Sequence, residues 1–301
     1  MSLEPAGPSV APVKGWQRAL YRVCWTIAVG LSRAYLPGKV EGRENLPQAG
    51  PFILAPIHRS YLDWLVVARV TRRRMRYISK DAVWKVKAVG RFVELLGAFP
   101  VHRGTADRDA FNRCVEVLEG GEPLVLFPEG SRRTGPTVDS VLDGAAYLAL
   151  RVGVPVVPVG IGGSERLMPK GAKFPKPGRI TIVIGKPIDP AGWKPASEPG
   201  ARADGSRAGK RVPRSAIRGM SVAVRLRVQE EFDLSQRRLG LDAATAGELE
   251  AAGIGTTTGP PAALSPQDGA DATTVVAAQA EGAADPSVDA TGAGAALDEG
   301  I

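Results

Sequence analysis

An α/β fold with a mainly parallel sheet covered by helices is predicted by three features of this 301-residue chain. Short apolar runs alternate with longer segments of helical periodicity. Leu124-Val-Leu-Phe127 and the stretch from Val154 to Ile161 are almost uniformly apolar, as strands buried on both faces are. Several of these runs are followed at once by basic, acidic or imidazole side chains, and in open α/β sheets ligands bind past the carboxyl ends of the strands.

The elements follow in order. Residues 1–14 contain Pro and Ala and no helical period, and are expected to be disordered. Residues 15–37 form a helix with Trp16, Tyr21, Trp25 and Tyr35 among Arg18, Arg22 and Arg33, closed by Pro37-Gly38. It is too short and too charged to span a bilayer, and its rings and arginines suit a membrane interface. On that reading Trp16, Tyr21 and Trp25 insert at headgroup depth. Val40 to Arg43 reads as a first strand and Phe52 to Ala55 as a second. Tyr61 to Val70 has the length and apolar density of a helix. Met75 to Ser79 is strand-like and ends at Lys80, residues 82–96 show helical spacing, and Gly97 to Arg103 is another strand with a basic tip. A helix over 108–118, the strand 124–127, a helix over 142–152, the strand 154–161 and a strand over 179–184 complete the alternation. Pro155 and Pro158 each remove a ladder donor, so their strand should lie where one side needs no N–H. Residues 38–192 thus form the working domain, 193–213 a linker and 214–239 a basic helix. Residues 240–301 are Ala-, Gly-, Thr- and Asp-rich and cannot bury enough surface to order themselves.

Charge narrows the function. From Gly240 onward there are ten acidic residues and no Lys or Arg, so the first 239 residues hold all 39 basic residues against 21 acidic ones, close to +18. Such a surface attracts phosphates. No recognised nucleic-acid motif accompanies the charge. Cys24 and Cys114 lie far apart in apolar helical patterns with no metal spacing, and read as buried thiols in a reducing compartment. The first residues lack the pattern of a signal peptide, and no uncharged run of membrane-spanning length is present.

The chemistry concentrates at His58, one of only two histidines, which precedes Asp63 by five residues at a strand-to-helix turn. A carboxylate on one imidazole nitrogen fixes the tautomer and stabilises the imidazolium formed when the other nitrogen takes a proton from a hydroxyl. Ser60-x-x-Asp63 is equally a capping-box pattern, in which Asp63 reaches back to backbone N–H groups. Both readings stand on these residues alone. By the strand-end rule Lys80, the His102-Arg103 tip and the loop Glu129-Gly-Ser-Arg132 surround the same pocket as His58. Neither a nucleophile elbow, a P-loop nor a dinucleotide fingerprint is present.

Four motifs in order, His58-x-x-x-x-Asp63, Gly97 to Arg103, Phe127-Pro-Glu-Gly-Ser-Arg132 and Val154-Pro-Val-Val-Pro-Val159, resemble those of the bacterial lysophosphatidic acid acyltransferases (1-acylglycerol-3-phosphate acyltransferases) within the glycerolipid acyltransferase superfamily. The resemblance covers roughly residues 40–190 and implies a glycerol-phosphate acyltransferase-like fold. It implies that His58 is the general base oriented by Asp63, acting on a lysophospholipid hydroxyl that attacks the thioester of acyl-CoA or of an acyl carrier protein. It also implies that Lys80, Arg103 and Arg132 bind the acceptor phosphate and that Glu129, Gly130 and Ser131 shape that site. No metal or cofactor is implied, and the expected place is the cytoplasmic face of the membrane, bound peripherally. Ile57 stands where many relatives have Asn, and His58-Arg-Ser-Tyr-Leu-Asp63 also resembles the glycerol-phosphate and dihydroxyacetone-phosphate acyltransferases, so other acceptors remain open. A non-catalytic binder of anionic lipid is the alternative of a different class.

Overall fold

A computed structural model describes residues 15–80, 90–91, 93–94, 96–101, 108–169, 171–193 and 212–241. The expected disordered N-terminus, most of the helix expected over 82–96, most of the linker and nearly all of the acidic tail fall outside the described residues.

Seven strands form one sheet in the order β1-β7-β6-β2-β5-β3-β4. They are β1 (Gly38–Glu41), β2 (Ile53–Pro56), β3 (Arg76–Lys80), β4 (Ala98–Val101), β5 (Leu124–Val125), β6 (Val156–Gly162) and β7 (Ile180–Ile184). The run β6-β2-β5-β3-β4 is parallel, whereas β7 is antiparallel to β6 and carries β1 beside it in parallel. The sheet is therefore mixed, with a parallel body. Every residue of β2, β6 and β7 is buried, and both side-chain faces of these strands are covered.

Of the two prolines, Pro155 falls just before β6 and Pro158 lies within it. Pro158 pairs with Ala55 of β2, yet its own polar edge points toward β7, where its carbonyl accepts from Gly185 N at 2.9 Å. That contact lies past the last antiparallel pair, Val159 with Ile184, so the absent N–H falls at the end of the β6–β7 ladder and not inside it.

The helices with described bounds are α1 (Gly15–Tyr35), α2 (Asp63–Val67), α3 (Arg108–Glu119), α4 (Gly144–Val152), α5 (Ser164–Leu167) and α6 (Arg214–Arg237). The ten-residue helix expected at Tyr61 is cut to five residues. Its flanks are turns closed by i to i+3 bonds, such as Asp63 N to Ser60 O and Val70 N to Val67 O, because the chain on one side holds the histidine turn and on the other turns into β3. The basic helix α6 is not a separate appendage. Ala216, Met220, Val224, Val228 and Phe232 are buried in the same core as the strands. Gly160 and Gly162 of β6 permit this approach, since a Cβ on Gly160 would lie 2.0 Å from the carbonyl oxygen of Glu231.

One face of α1 also belongs to this fold. Tyr21, Val29 and Ser32 are buried, and the Trp25 indole donates to the Ala68 carbonyl at 2.9 Å. This corrects the expectation that Tyr21 and Trp25 insert among headgroups. The opposite face is apolar and open. Trp16, Leu20, Val23, Ile27 and Leu31, spaced for one helical stripe, are between 40% and 67% exposed.

Candidate active site

Adjacent parallel strands bring the two central motifs together. His58 stands two residues past β2 and Glu129 four residues past β5, and these strands are neighbours. The turn after β5 is written in its residues. Gly130 N donates to Phe127 O at 3.1 Å, with Pro128 at the second position and Gly130, at φ 69°, at the fourth, as a tight turn favours.

His58 is held from three sides. Its Nδ1 lies 3.0 Å from Asp63 Oδ2, its backbone N–H donates to Glu129 Oε2 at 3.2 Å, and its ring stacks on Phe127 with centroids 4.1 Å apart. The ring is close to fully buried, with 11% of its side chain exposed. No described residue bonds Nε2.

Asp63 answers both readings of its motif at once. The same Oδ2 that faces His58 accepts the backbone N–H groups of Arg59 and Ser60, each at 2.7 Å. The carboxylate is wholly buried, and its Oδ1 has no hydrogen-bond partner. The reach-back of a capping box is thus what positions the carboxylate against the imidazole. Ser60 supports the turn through its hydroxyl, which donates to Met168 O at 2.8 Å and accepts from Leu62 N at 3.2 Å.

Arg59 and Glu165 escaped the sequence reading. Arg59 is 1% exposed and Glu129 3%, and Arg59 Nη1 reaches both Glu129 oxygens at 2.7 Å. Its Nε donates to Gly135 O at 3.0 Å and its Nη2 to Thr137 O at 2.9 Å. The Glu129 carboxylate is therefore occupied by Arg59 and by the His58 N–H. Gly135 N in turn donates to Glu165 Oε1 at 3.0 Å, so β6's exit is laced to the loop after β5. An arginine inside a buried strand-to-helix turn was a legible sign of a buried carboxylate partner. Nothing local marked Glu165.

Arg132 lies over the Tyr61 ring, its guanidinium carbon 3.2 Å from the centroid, which places this cation beside the histidine turn. Gly130 is buried and Ser131 half-buried on the same loop. The backbone of β3 runs to Lys80 next to β4, while the side chain of Lys80 and all of Arg103 lie outside the described residues.

Burial raises the Glu165 pKa above the usual carboxylate range, opposed by the Gly135 N–H and Arg59 and reinforced by Asp63 and Glu129. The raised folded-state value means that ionisation is disfavoured in the fold. Stability is then lost as pH rises from below the unfolded value through the folded one. Glu165→Gln keeps an acceptor for Gly135 and removes the charge. Its melting temperature should gain on the wild type as pH rises from the unfolded carboxylate range through the raised folded-state value, and an offset that does not change with pH would show that the charge is not what matters.

Residues 38–162 match the acyltransferase family model. A chloroplastic 1-acyl-sn-glycerol-3-phosphate acyltransferase of Arabidopsis thaliana is 31% identical over 153 residues, 50% of this chain and 43% of that protein. A 1-acyl-sn-glycerol-3-phosphate acyltransferase of Bacillus subtilis is 27% identical over 154 residues, 51% of this chain and 74% of that protein. The crystal structure of the 1-acyl-sn-glycerophosphate acyltransferase of Thermotoga maritima aligns with a TM-score of 0.55 and 26% identity, covering 71% of this chain and 80% of that one. This chain spans 43%, 44% and 46% of the lengths of the Arabidopsis, Brassica and Chlamydomonas relatives.

Proposed function

We propose that this chain, whose residues 38–162 match the acyltransferase family model, moves a fatty acyl group from a thioester donor to the free hydroxyl of 1-acylglycerol-3-phosphate, giving phosphatidic acid. The observation that carries the reading is the buried His58–Asp63 contact of 3.0 Å with Nε2 left for substrate. The named relatives, all 1-acyl-sn-glycerol-3-phosphate acyltransferases, support the choice of acceptor.

In this mechanism His58 Nε2 takes the proton of the acceptor hydroxyl as its oxygen attacks the thioester carbonyl. Asp63 keeps the remaining proton on Nδ1 and stabilises the imidazolium. The new C–O bond forms, the C–S bond breaks, and the thiolate leaves with the proton that His58 carried. Lys80, Arg103 and Arg132 bind the acceptor phosphate by charge-assisted hydrogen bonds. Glu129, through Arg59 and the His58 N–H, holds the base in place, and Gly130 and Ser131 form the wall beside it. Base, hydroxyl and thioester balance the reaction without a metal or cofactor. The donor is acyl-CoA or an acyl carrier protein.

The full chain incubated with labelled acyl-CoA and 1-acylglycerol-3-phosphate should release free thiol and labelled phosphatidic acid. Parallel reactions with acyl carrier protein, glycerol 3-phosphate and other lysolipids assign donor and acceptor. Binding to anionic vesicles without any acylated product would favour the non-catalytic lipid binder.

The lipid acceptor has to be met at a surface, and no helix of the described residues is long and apolar enough to cross a membrane. We place the exposed stripe of α1 in the interface on the cytoplasmic face. Losing the burial of Ile27 costs about 1.5 kcal/mol, or about tenfold in partitioning. Ile27→Glu should therefore lower vesicle binding at least that much and depress turnover on vesicle-embedded acceptor, with turnover on a soluble short-chain acceptor retained. Equal losses on both acceptors would make the stripe a folding feature. This substitution is a cleaner test than removing α1, whose other face is core.

A further inference from the structure

Four arginines, Arg33, Arg43, Arg69 and Arg72, lie around the junction of α1 with β1 and the segment after α2, with no acidic partner among the described residues. Arg69, just after α2, is 2% exposed. Its Nη1 donates to the Leu36 carbonyl at 2.8 Å, and its Nε is buried with no hydrogen bond. Arg43, in the 3-10 turn after β1, donates through Nη2 to the Arg69 carbonyl at 2.8 Å. Arg33 stands in the last turn of α1. Burial first, and then the charges of Arg33 and Arg43, lower the Arg69 pKa to about 10. Burial, followed by Arg33 and Arg72, lowers that of Arg43. None of the four forms a salt bridge among the described residues.

Helix-end carbonyls account for Arg69 Nη1 and Arg43 Nη2. They do not account for the orphaned Nε, which bears its full desolvation cost, or for holding four like charges where they repel. A buried guanidinium with an unpaired N–H, with further arginines on the adjoining chain, matches an anion with several acceptor oxygens. The cluster also lies away from the histidine. Leu36, which Arg69 bonds, precedes the outermost strand β1, and β7 and β6 separate that strand from β2 and the His58 turn.

We propose that Arg33, Arg43, Arg69 and Arg72 form a binding site for a phosphate group beside the outer strand β1. The phosphate comes from a lipid headgroup or from free phosphate. The site rests on these arginines alone, and it stands or falls separately from acyl transfer.

The test compares the full chain with the Arg33→Gln/Arg43→Gln variant and with a charge-matched control, Arg218→Gln/Arg237→Gln on α6. In the first arm, melting is followed against inorganic phosphate at constant ionic strength set with chloride. In the second, partitioning is measured to phosphatidylcholine vesicles with and without phosphatidic acid. Free phosphate as ligand predicts a melting increment that grows with phosphate concentration, remains in the control and is lost in the cluster variant. A headgroup ligand predicts a drop of roughly 10- to 30-fold in phosphatidic-acid-dependent partitioning for the cluster variant, several times the drop in the control. Should the double variant melt too low to assay, Arg33→Gln alone carries the test, because that side chain makes no hydrogen bond among the described residues. Equal behaviour of cluster and control variants in both arms would overturn the site.

Discussion

His58→Ala should lower turnover by about 10²- to 10⁴-fold, the range that general-base catalysis contributes, while the fold persists. The ring stacks on Phe127 and meets Asp63, but the turn around it is held by backbone contacts from Glu129 and Arg133 to residue 58 that alanine keeps. Asp63→Asn should cost turnover to a similar degree by a different route. Asparagine still accepts the Arg59 and Ser60 N–H groups, so the cap survives in part, but it no longer offers a carboxylate to fix the imidazole tautomer. Because one oxygen serves both purposes in this structure, a modest loss of melting temperature is expected with the loss of turnover. A variant that melts lower and keeps its turnover would leave Asp63 only its capping role.

The second large effect is on stability. Arg59→Ala strands the Glu129 carboxylate, which is 3% exposed and whose other hydrogen bond is the His58 N–H. Breaking one side of a buried ion pair costs about 3 to 5 kcal/mol, because an uncompensated charge stays behind. It also frees the loop carbonyls of Gly135 and Thr137 that Arg59 holds. Chemical denaturation should show this loss for Arg59→Ala and for Glu129→Ala separately. The pair replaced together by apolar residues of similar volume should recover much of the stability and none of the turnover, since His58 then loses the acceptor of its backbone N–H. A double variant as unstable as the two single losses combined would mean that the residues act independently.

Local chemistry was enough for the strands and for the turns between them. Leu124 to Phe127 and Val156 to Ile161 are too uniformly apolar to lie anywhere but between layers, and Phe127-Pro-Glu-Gly130 spells its own turn. The rule that strand ends share an edge brought His58 and Glu129 to one place before any coordinates. The sequence likewise showed an aromatic, basic first helix, but periodicity cannot say which face a neighbour covers. Packing on α2 and the sheet took Tyr21 and Trp25 inward and left Val23, Ile27 and Leu31 outside.

What only tertiary structure decided lies in partners far apart along the chain. Arg59 meets Glu129 at a separation of 70 residues, and Glu165 meets Gly135 at 30. The reversal of β7 against β6, and the shortening of α2 to five residues, also depend on what each segment found beside it. Periodicity and turn chemistry act over one or two turns of chain, so they fix which residues are buried or bent. Ion pairs and strand neighbours are chosen by the closure of the whole sheet, and it is this closure that buries the His-x-x-x-x-Asp turn against Glu129 and Phe127.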